Sequence, residues 1–132
     1  MNVVESIKKH EGWRSQMYED TEGVKTIGYG FNLEDGELPK PVGELWLSIK
    51  IHQHEDELKR FHWYNKLDSI RQDVLLDMHY NLGDSRFRQF KKMIKALENE
   101  KYDRAADEML DSKWARQVGS RAEELADKMR SG

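Results

Sequence analysis

Glu11, Asp20 and Thr26 are the residues of this 132-residue chain whose types and spacing could do chemistry. Glu11 precedes Gly12 at the expected end of a helix, while Asp20 and Thr26 flank the turn 21–23. A carboxylic acid can protonate a leaving oxygen, and an ionised carboxylate beside a hydroxyl can hold and polarise one water molecule. Together these groups are the minimum equipment for cutting a glycosidic bond with water. On spacing alone, helix ends and turns also attract the same residue types for structural reasons.

The expected surroundings of the two acids differ in a way that suits these roles. Glu11 continues the apolar stripe of Val4 and Ile7 by one turn, at a helix C-terminus where the helix dipole is negative. Both effects disfavour the charged form of its carboxyl, which is what a general acid needs. Asp20 stands beside a polar turn, and we expect it to stay ionised.

The composition argues against several classes of partner. The net charge is −3, and lysine and arginine occur as scattered pairs, so neither nucleic acid nor an anionic membrane is expected as a partner. There are no cysteines, and no cofactor or metal is expected. No apolar run approaches the roughly 20 residues that a membrane span needs. The N-terminus lacks the pattern of a secretion signal, so we expect another route of delivery.

The elements that must position the three residues follow from local patterns. Residues 2–11 read as a short helix, and residues 13–33 as two or three short antiparallel strands with a tight turn. A long helix is predicted from 42 to about 61, and helical periodicity runs throughout the chain after Asn65.

Two helix starts in the second half are predicted from capping signals. Ser85 is expected to cap one helix that carries Phe87 and Phe90 on one face. Ser120, with Glu123 three residues later, fits a capping box for the last helix.

The predicted fold is therefore α+β and mostly helical, a single domain over residues 1–132 with two lobes. A small β-hairpin lobe and a connecting helix would occupy about 12–60. A helical lobe would combine 1–11 with 61–132. A plan with two lobes leaves a cleft between them, where ligands prefer to bind.

The residues around the trio resemble those of a known family. Glu11-Gly12, Tyr18, the run 20–23 and the run 26–30 closely resemble the active-site segment of the phage-type lysozymes, the T-even phage lysozymes in particular. The catalytic triad of that family is a Glu, an Asp nine residues on and a Thr six further, which Glu11, Asp20 and Thr26 match. The resemblance is strong over residues 10–30 and moderate over 67–122.

The resemblance implies the substrate and the mechanism. The expected reaction is hydrolysis of the β-1,4 bond between N-acetylmuramic acid and N-acetylglucosamine in bacterial peptidoglycan. Glu11 would protonate the leaving oxygen, and Asp20 with Thr26 would position water on the opposite face. That arrangement implies inversion, with the two carboxyl groups about 6.5–9.5 Å apart.

The resemblance also implies substrate contacts, namely Tyr29, Gly30, Phe31, Tyr80, Asn81, Phe90 and Ser120. Three of them depart from the family pattern, in which His, Gln and Asn are typical where this chain has Phe31, Asn81 and Ser120. With Phe31 in place of His, a polar contact to the substrate is lost, or a ring is presented for sugar stacking instead. Subsite preference therefore depends on these three positions.

Two alternatives to hydrolysis stay open. A lytic transglycosylase needs only the Glu and lets a hydroxyl of the sugar attack, so Asp20 and Thr26 argue against it. The other alternative is a non-catalytic wall-binding or virion tail module of the same fold. We expect a monomer, delivered from the host cytoplasm to the wall through holin pores, or carried within a larger virion tail protein.

Other residues attract attention but are expected to be structural. His52 and His54 are two apart on a predicted helix and point to different sides, so they cannot chelate a metal together. Trp13, Trp46 and Trp63 are expected in the core or at the junctions between lobes, and Trp114 is at least as well suited to packing as to binding sugar.

Overall fold

The computed structural model describes residues 2–132 as an α+β, mostly helical protein, as the sequence predicted. Its contacts divide the chain into two units, Met1–Glu44 and Leu45–Gly132. The predicted lobes, 12–60 against 1–11 with 61–132, stay a prediction.

The first unit begins with helix α1, Val3–Glu11. The side chain of Asn2 caps it by accepting a hydrogen bond from the Glu5 amide at 2.9 Å. Gly12 ends it with a φ of 71°, a left-handed value at which glycine is favoured over residues with a Cβ. The chemistry of these two ends explains why Glu11 becomes the last helical residue.

A three-stranded antiparallel sheet follows, in the order β1-β2-β3. The strands are β1 (Arg14–Glu19), β2 (Lys25–Gly28) and β3 (Phe31–Asn32). Tyr18 pairs with Thr26, and Thr26 pairs in turn with Asn32 on the other side. The central strand is therefore β2. On it Thr26 is only 4% exposed, whereas Lys25 is exposed and Ile27 is half-buried. The predicted strands and turn are confirmed.

The apolar face of α1 differs from expectation. No residue of this helix is buried, and Val3, Val4 and Ile7 are 69%, 56% and 51% exposed. The stripe read from the sequence is present, but these side chains remain in contact with solvent.

The helices from residue 40 onward are α2 (Lys40–Leu58), α3 (Ser69–Leu82), α4 (Asp84–Arg88), α5 (Lys91–Glu98), α6 (Tyr102–Leu110), α7 (Lys113–Val118) and α8 (Ser120–Ser131), with a 3₁₀ turn at Tyr64–Lys66. The second unit has a closed apolar core. Its fully buried side chains come from several of these helices and include Leu58, Leu75, Phe87, Met109 and Met129. This core accounts for the helical periodicity of the sequence after Asn65.

Two predicted helix starts are wrong. Ser85 lies inside the short helix α4, whose N-cap is Gly83, and the backbone at Phe90 leaves the helical region (ψ 58°) before α5 begins. Ser120 is the first residue of α8 rather than its cap, because Gly119 occupies the cap position without a side chain to bond. In both cases a glycine takes the position that the serine was expected to fill.

No helix within residues 2–132 combines the length and the apolar character that a membrane span requires.

Candidate active site

Glu11 is positioned by the end of α1 and by a glycine in the sheet. A Cβ placed on Gly30 would lie 2.9 Å from Cδ of Glu11, so the carboxyl group rests directly against the bare backbone of Gly30. Gly30 also has a φ of 71°, a value that residues with a Cβ rarely adopt. The position therefore suits glycine for two independent reasons. One is its positive φ, and the other is that the carboxyl of Glu11 occupies the space where a Cβ would lie.

The side chain of Glu11 is exposed, so the apolar surroundings expected from its place on the stripe of Val4 and Ile7 are not found. Its neighbours along the stripe, Val4 and Ile7, are themselves more than half exposed. The carboxyl is accessible to a ligand from solvent, and its environment in the first unit consists of the helix end and the Gly30 backbone.

Asp20 is held by the turn between β1 and β2. Its Oδ1 accepts hydrogen bonds from the amides of Glu22 and Val24, both at 2.9 Å, and its own amide donates to the Val24 carbonyl at 2.9 Å. Aspartate is favoured in turns because its side chain can bond amides two or more residues on. Within residues 2–132 the hydrogen bonds to this carboxylate reach Oδ1 alone, which leaves Oδ2 for a ligand.

Thr26 lies on the strand that the Asp20 turn leads into. Tyr18 stands opposite Thr26, so their side chains share one face of the sheet, and Asp20 follows Glu19, the last residue of β1. The Thr26 hydroxyl donates to the Val24 carbonyl at 2.9 Å, so its oxygen lone pairs remain for accepting a proton from water.

The two acids lie at opposite ends of β2. Asp20 bonds Val24, which immediately precedes this strand, whereas Glu11 rests on Gly30, which follows its last residue, Gly28. The hairpin and the helix end thus bring the three predicted catalytic residues to one strand of the first unit, with the acids separated along it.

The rings of Trp13, Tyr29 and Phe31 form a contiguous aromatic group in the first unit. The ring centroids of Trp13 and Tyr29 are 5.0 Å apart, and those of Tyr29 and Phe31 are 6.3 Å apart. Trp13 is 63% exposed and Phe31 is 57% exposed, so the expectation that Trp13 packs in a core is wrong, while its place at a junction between lobes stays a prediction. The feature of the sequence that could have indicated an exposed Trp13 was its position directly after Glu11-Gly12.

The predicted contacts of the second unit do not all line one cavity. Trp114 donates its indole N–H to Oδ1 of Asn81 at 2.7 Å, and its ring meets Phe90 edge to face at 6.3 Å. Phe90 and Trp114 line a cavity of about 600 Å³. Tyr80 is 40% exposed, and Ser120 is exposed at the start of α8, outside the lining of that cavity. The roles of Tyr80, Asn81, Phe90 and Ser120 as substrate contacts stay predictions.

A buried polar network in the second unit was not found from the sequence. His79 is fully buried, and its Nε2 bonds Asp84 Oδ1 at 2.9 Å, while its Nδ1 lies 2.7 Å from Nδ1 of His54. Glu57, His79 and Asp84 each offer one ligand atom within 4.8 Å of the others, a spacing that could hold a metal ion. Hydrogen bonds to both ring nitrogens already satisfy His79.

The same network shifts two protonation equilibria. Burial lowers the pKa of His54, and the adjacent His79 lowers it further. Burial acts to raise the pKa of Asp84, but hydrogen bonds from His79 and Arg88 outweigh it and hold that pKa below its usual value. The contacts among α2, α3 and α4 therefore depend on the protonation of His54 and Asp84, and so on pH.

Comparison with known proteins agrees with the local resemblance around Glu11. The phage lysozyme family profile matches residues 8–130. The chain is 28% identical to a protein of Dictyostelium discoideum named probable T4-type lysozyme 2, over 99% of this chain and 95% of that one. It is 26% identical to probable T4-type lysozyme 1 of the same organism, with the same coverage. Each alignment spans 161 positions, so these relatives carry residues that have no counterpart in this 132-residue chain.

Proposed function

This chain belongs to the phage lysozyme family, and from that premise we propose that it cleaves the β-1,4 bond between N-acetylmuramic acid and N-acetylglucosamine in bacterial peptidoglycan. Membership makes it a glycoside hydrolase of the lysozyme type. The observation that carries the proposal is the placement of Glu11, Asp20 and Thr26 along β2, with Glu11 against Gly30 and Asp20 fixed by the turn.

Glu11 is proposed as the general acid. It is exposed, so a sugar oxygen can reach it, and the Gly30 backbone limits where its carboxyl can lie. Protonating the leaving oxygen of an acetal is the step that a positioned carboxylic acid accelerates, by about 10²–10⁴-fold.

Asp20 and Thr26 are proposed to hold the attacking water. The two amides that bond Oδ1 of Asp20 fix its orientation, and Oδ2 then accepts one proton of the water. The hydroxyl oxygen of Thr26 accepts the other, because its own proton is committed to the Val24 carbonyl. The water oxygen is left with its lone pairs free to attack the anomeric carbon.

Inversion of configuration follows because water held by Asp20 and Thr26, rather than the Asp20 carboxylate itself, attacks the sugar. A retaining enzyme needs its second carboxyl close enough to attack the sugar itself, at about 5–5.5 Å from the acid. The positions of Glu11 and Asp20 at opposite ends of β2 support the wider, water-filled arrangement instead.

Product analysis tests this proposal. Purified protein is incubated with peptidoglycan, and the soluble fragments are examined by mass spectrometry and by proton NMR within the first turnovers. We expect reducing-end N-acetylmuramic acid, released first as the α-anomer. An anhydro-muramyl end would identify a lytic transglycosylase, the β-anomer would overturn inversion, and the absence of any fragment would favour a non-catalytic wall-binding module.

The biological setting is proposed from the family name. Lysis of a bacterial host by a phage, with the protein released by a holin or carried on a virion tail, fits a peptidoglycan substrate. The relatives described above come from an amoeba, so the matched sequence pattern is not restricted to phages. Lysis that requires co-expression of a holin in a bacterial host would support release through pores, and lysis without it would contradict that route.

A further inference from the structure

Three side chains that can bind a metal ion converge in the second unit, whereas the proposed catalytic residues all belong to the first. Glu57 lies near the end of α2, His79 lies on α3, and Asp84 is the first residue of α4. One ligand atom from each lies within 4.8 Å of the other two. Because the donors come from three different helices, no local spacing in the sequence indicates them.

His79 supplies the nitrogen of this group. Its side chain is fully buried, and its Nε2 lies 2.9 Å from Oδ1 of Asp84, while its Nδ1 lies 2.7 Å from Nδ1 of His54. Since an ionised carboxylate can only accept, Nε2 of His79 carries the proton that Asp84 receives. The ring is therefore already immobile, and an ion that binds at Nε2 costs little further side-chain entropy.

Asp84 is oriented by a second contact. Nε of Arg88 donates to Oδ2 of Asp84 at 2.8 Å, which leaves Oδ1 directed at His79. Carboxylates that bind metal ions are held in the same manner, by hydrogen bonds from groups outside the site. Two of the three donors thus have their orientation fixed by neighbours.

Glu57 distinguishes this group from a buried histidine whose bonds are simply satisfied. Its carboxylate is half-buried, and within residues 2–132 it has neither an ion-pair partner nor a hydrogen-bond donor. Glu55, on the same helix, is also half-buried but pairs with Lys59 at 3.0 Å. Drawing a carboxylate out of water is unfavourable unless an opposite charge compensates it. With Asp84 also negative, a divalent cation supplies the charge that Glu57 lacks.

We propose that Glu57, His79 and Asp84 bind one divalent transition-metal ion, with Zn²⁺ the closest match to their donor atoms. One imidazole nitrogen and two carboxylate oxygens are ligands that Zn²⁺ accepts, at bond lengths of about 2.0–2.2 Å. Ligands of a tetrahedral ion with such bonds are roughly 3.3–3.5 Å apart. Oδ1 of Asp84 therefore moves about 0.5 Å away from Nε2, and Glu57 closes by no more than about 1.5 Å, which a long side chain allows.

The ion takes the place of the proton on Nε2 of His79. The proton of His54 then passes across the short contact to Nδ1 of His79, and His54 takes one from solvent at its own Nε2. The two neutral rings keep two protons between them, and His79 donates its second N–H to His54, as metal-binding histidines commonly do to a neighbouring acceptor. Glu57 and His54 both belong to α2, so the ion fastens that helix to α3 and α4.

Calorimetry tests the site with zinc chloride as the probe. The full-length chain is freed of metal with EDTA, dialysed and titrated with Zn²⁺. We expect one ion to bind per chain. At a free Zn²⁺ concentration about 100-fold above Kd, the thermal midpoint should rise by about 5–10 °C, because the ion binds the folded state.

Two variants and a matched control locate the ion. Changes to groups outside the ligand set already cost about 10–100-fold in metal affinity, so Glu57→Gln and Asp84→Asn should each raise Kd by at least about 100-fold. Glu55→Gln is the control, because Glu55 is a half-buried glutamate of the same helix that pairs with Lys59 instead, and it should leave Kd unchanged. If Asp84→Asn lowers the thermal midpoint, Glu57→Gln decides the question on its own.

The ring nitrogens of His79 provide a second readout that needs no substitution of this buried residue. NMR spectra that correlate imidazole nitrogens with ring protons report the tautomer of each histidine. We expect Zn²⁺ to shift the Nε2 resonance of His79 and to move its proton to Nδ1.

The inference is overturned if Zn²⁺ leaves the His79 nitrogens unchanged, or if Glu57→Gln and Asp84→Asn bind it as tightly as Glu55→Gln does. Binding of the latter kind would be adventitious, through exposed histidines such as His10 and His52. None of the three proposed ligands has a role in the proposed cleavage of peptidoglycan, so either outcome leaves that function standing.

Discussion

Replacing Gly30 with alanine should displace the carboxyl of Glu11. The new Cβ would lie 2.9 Å from Cδ of Glu11, and φ at this residue is 71°. Non-bonded carbon atoms prefer separations of about 3.5–4.0 Å, so the carboxyl must move by roughly 1 Å or the strand must shift. A misplacement of about 1 Å in a catalytic group can cost about 100-fold in rate, and we expect a loss of that size in Gly30→Ala.

Gly23→Ala is the matched control. Gly23 has a φ of 78°, close to that of Gly30, but no atom lies within 4 Å of its added Cβ. Both variants should lose about 1–2 kcal/mol of unfolding free energy, since both force an L-residue into the left-handed region. The collision with Glu11 belongs to Gly30→Ala alone, so a difference in activity between the two variants isolates the position of the acid.

The assay is the initial rate of turbidity loss on permeabilised bacteria, measured below the unfolding transition of both variants. Circular dichroism on the same samples supplies the thermal midpoints. The reasoning is refuted if Gly30→Ala retains activity within about threefold of Gly23→Ala, which is well short of the 100-fold loss that a displacement of about 1 Å can cause.

Three further predictions concern the turn, the buried network and the indole contact. Asp20→Asn keeps the oxygen that accepts both turn amides, so its thermal midpoint should match wild type while activity falls by about 10²–10⁴-fold; Asp20→Ala should lose both. Because burial lowers the pKa of His54, the unfolded chain binds its proton first, so stability should fall as pH drops through about 6.5, and His54→Gln should reduce this loss. Asn81→Leu leaves the buried indole N–H of Trp114 without its acceptor, and should cost about 1–3 kcal/mol in denaturant unfolding.

Each of these has an outcome that contradicts it. An active Asp20→Asn enzyme would show that the negative charge is not needed for holding water. His52→Gln, a change at an exposed position on the same helix, should leave the pH profile of stability unaltered, and an equal effect from both histidine variants would argue against the buried network. Unchanged stability in Asn81→Leu would mean that the Trp114 N–H finds another acceptor.

The local signals in the sequence predicted the first unit well. Gly12 stops a helix and the turn at 21–23 reverses a strand, and these features alone bring Glu11, Asp20 and Thr26 onto one hairpin and one helix end. Such signals act between residues close in the chain, so they can be read without knowing the tertiary structure.

Contacts between distant residues could not be read in the same way. His54 and His79 are 25 residues apart, and nothing in either local pattern indicates that their rings meet. The break between α4 and α5 occurs at Phe90, where neither proline nor glycine marks it. The exposure of Trp13 was missed for a related reason, because an apolar ring beside a helix end fits a core equally well until the neighbouring backbone is known.

The role of Glu11 as the acid is tested most directly by Glu11→Gln, assayed for release of reducing-end muramic acid from peptidoglycan. Glutamine preserves the size of an exposed side chain, so the thermal midpoint should stay unchanged. The rate should fall by about 10²–10⁴-fold, because the amide cannot donate the proton that the leaving oxygen needs. Release of the same product at the wild-type rate would contradict the assignment of Glu11 as the catalytic acid.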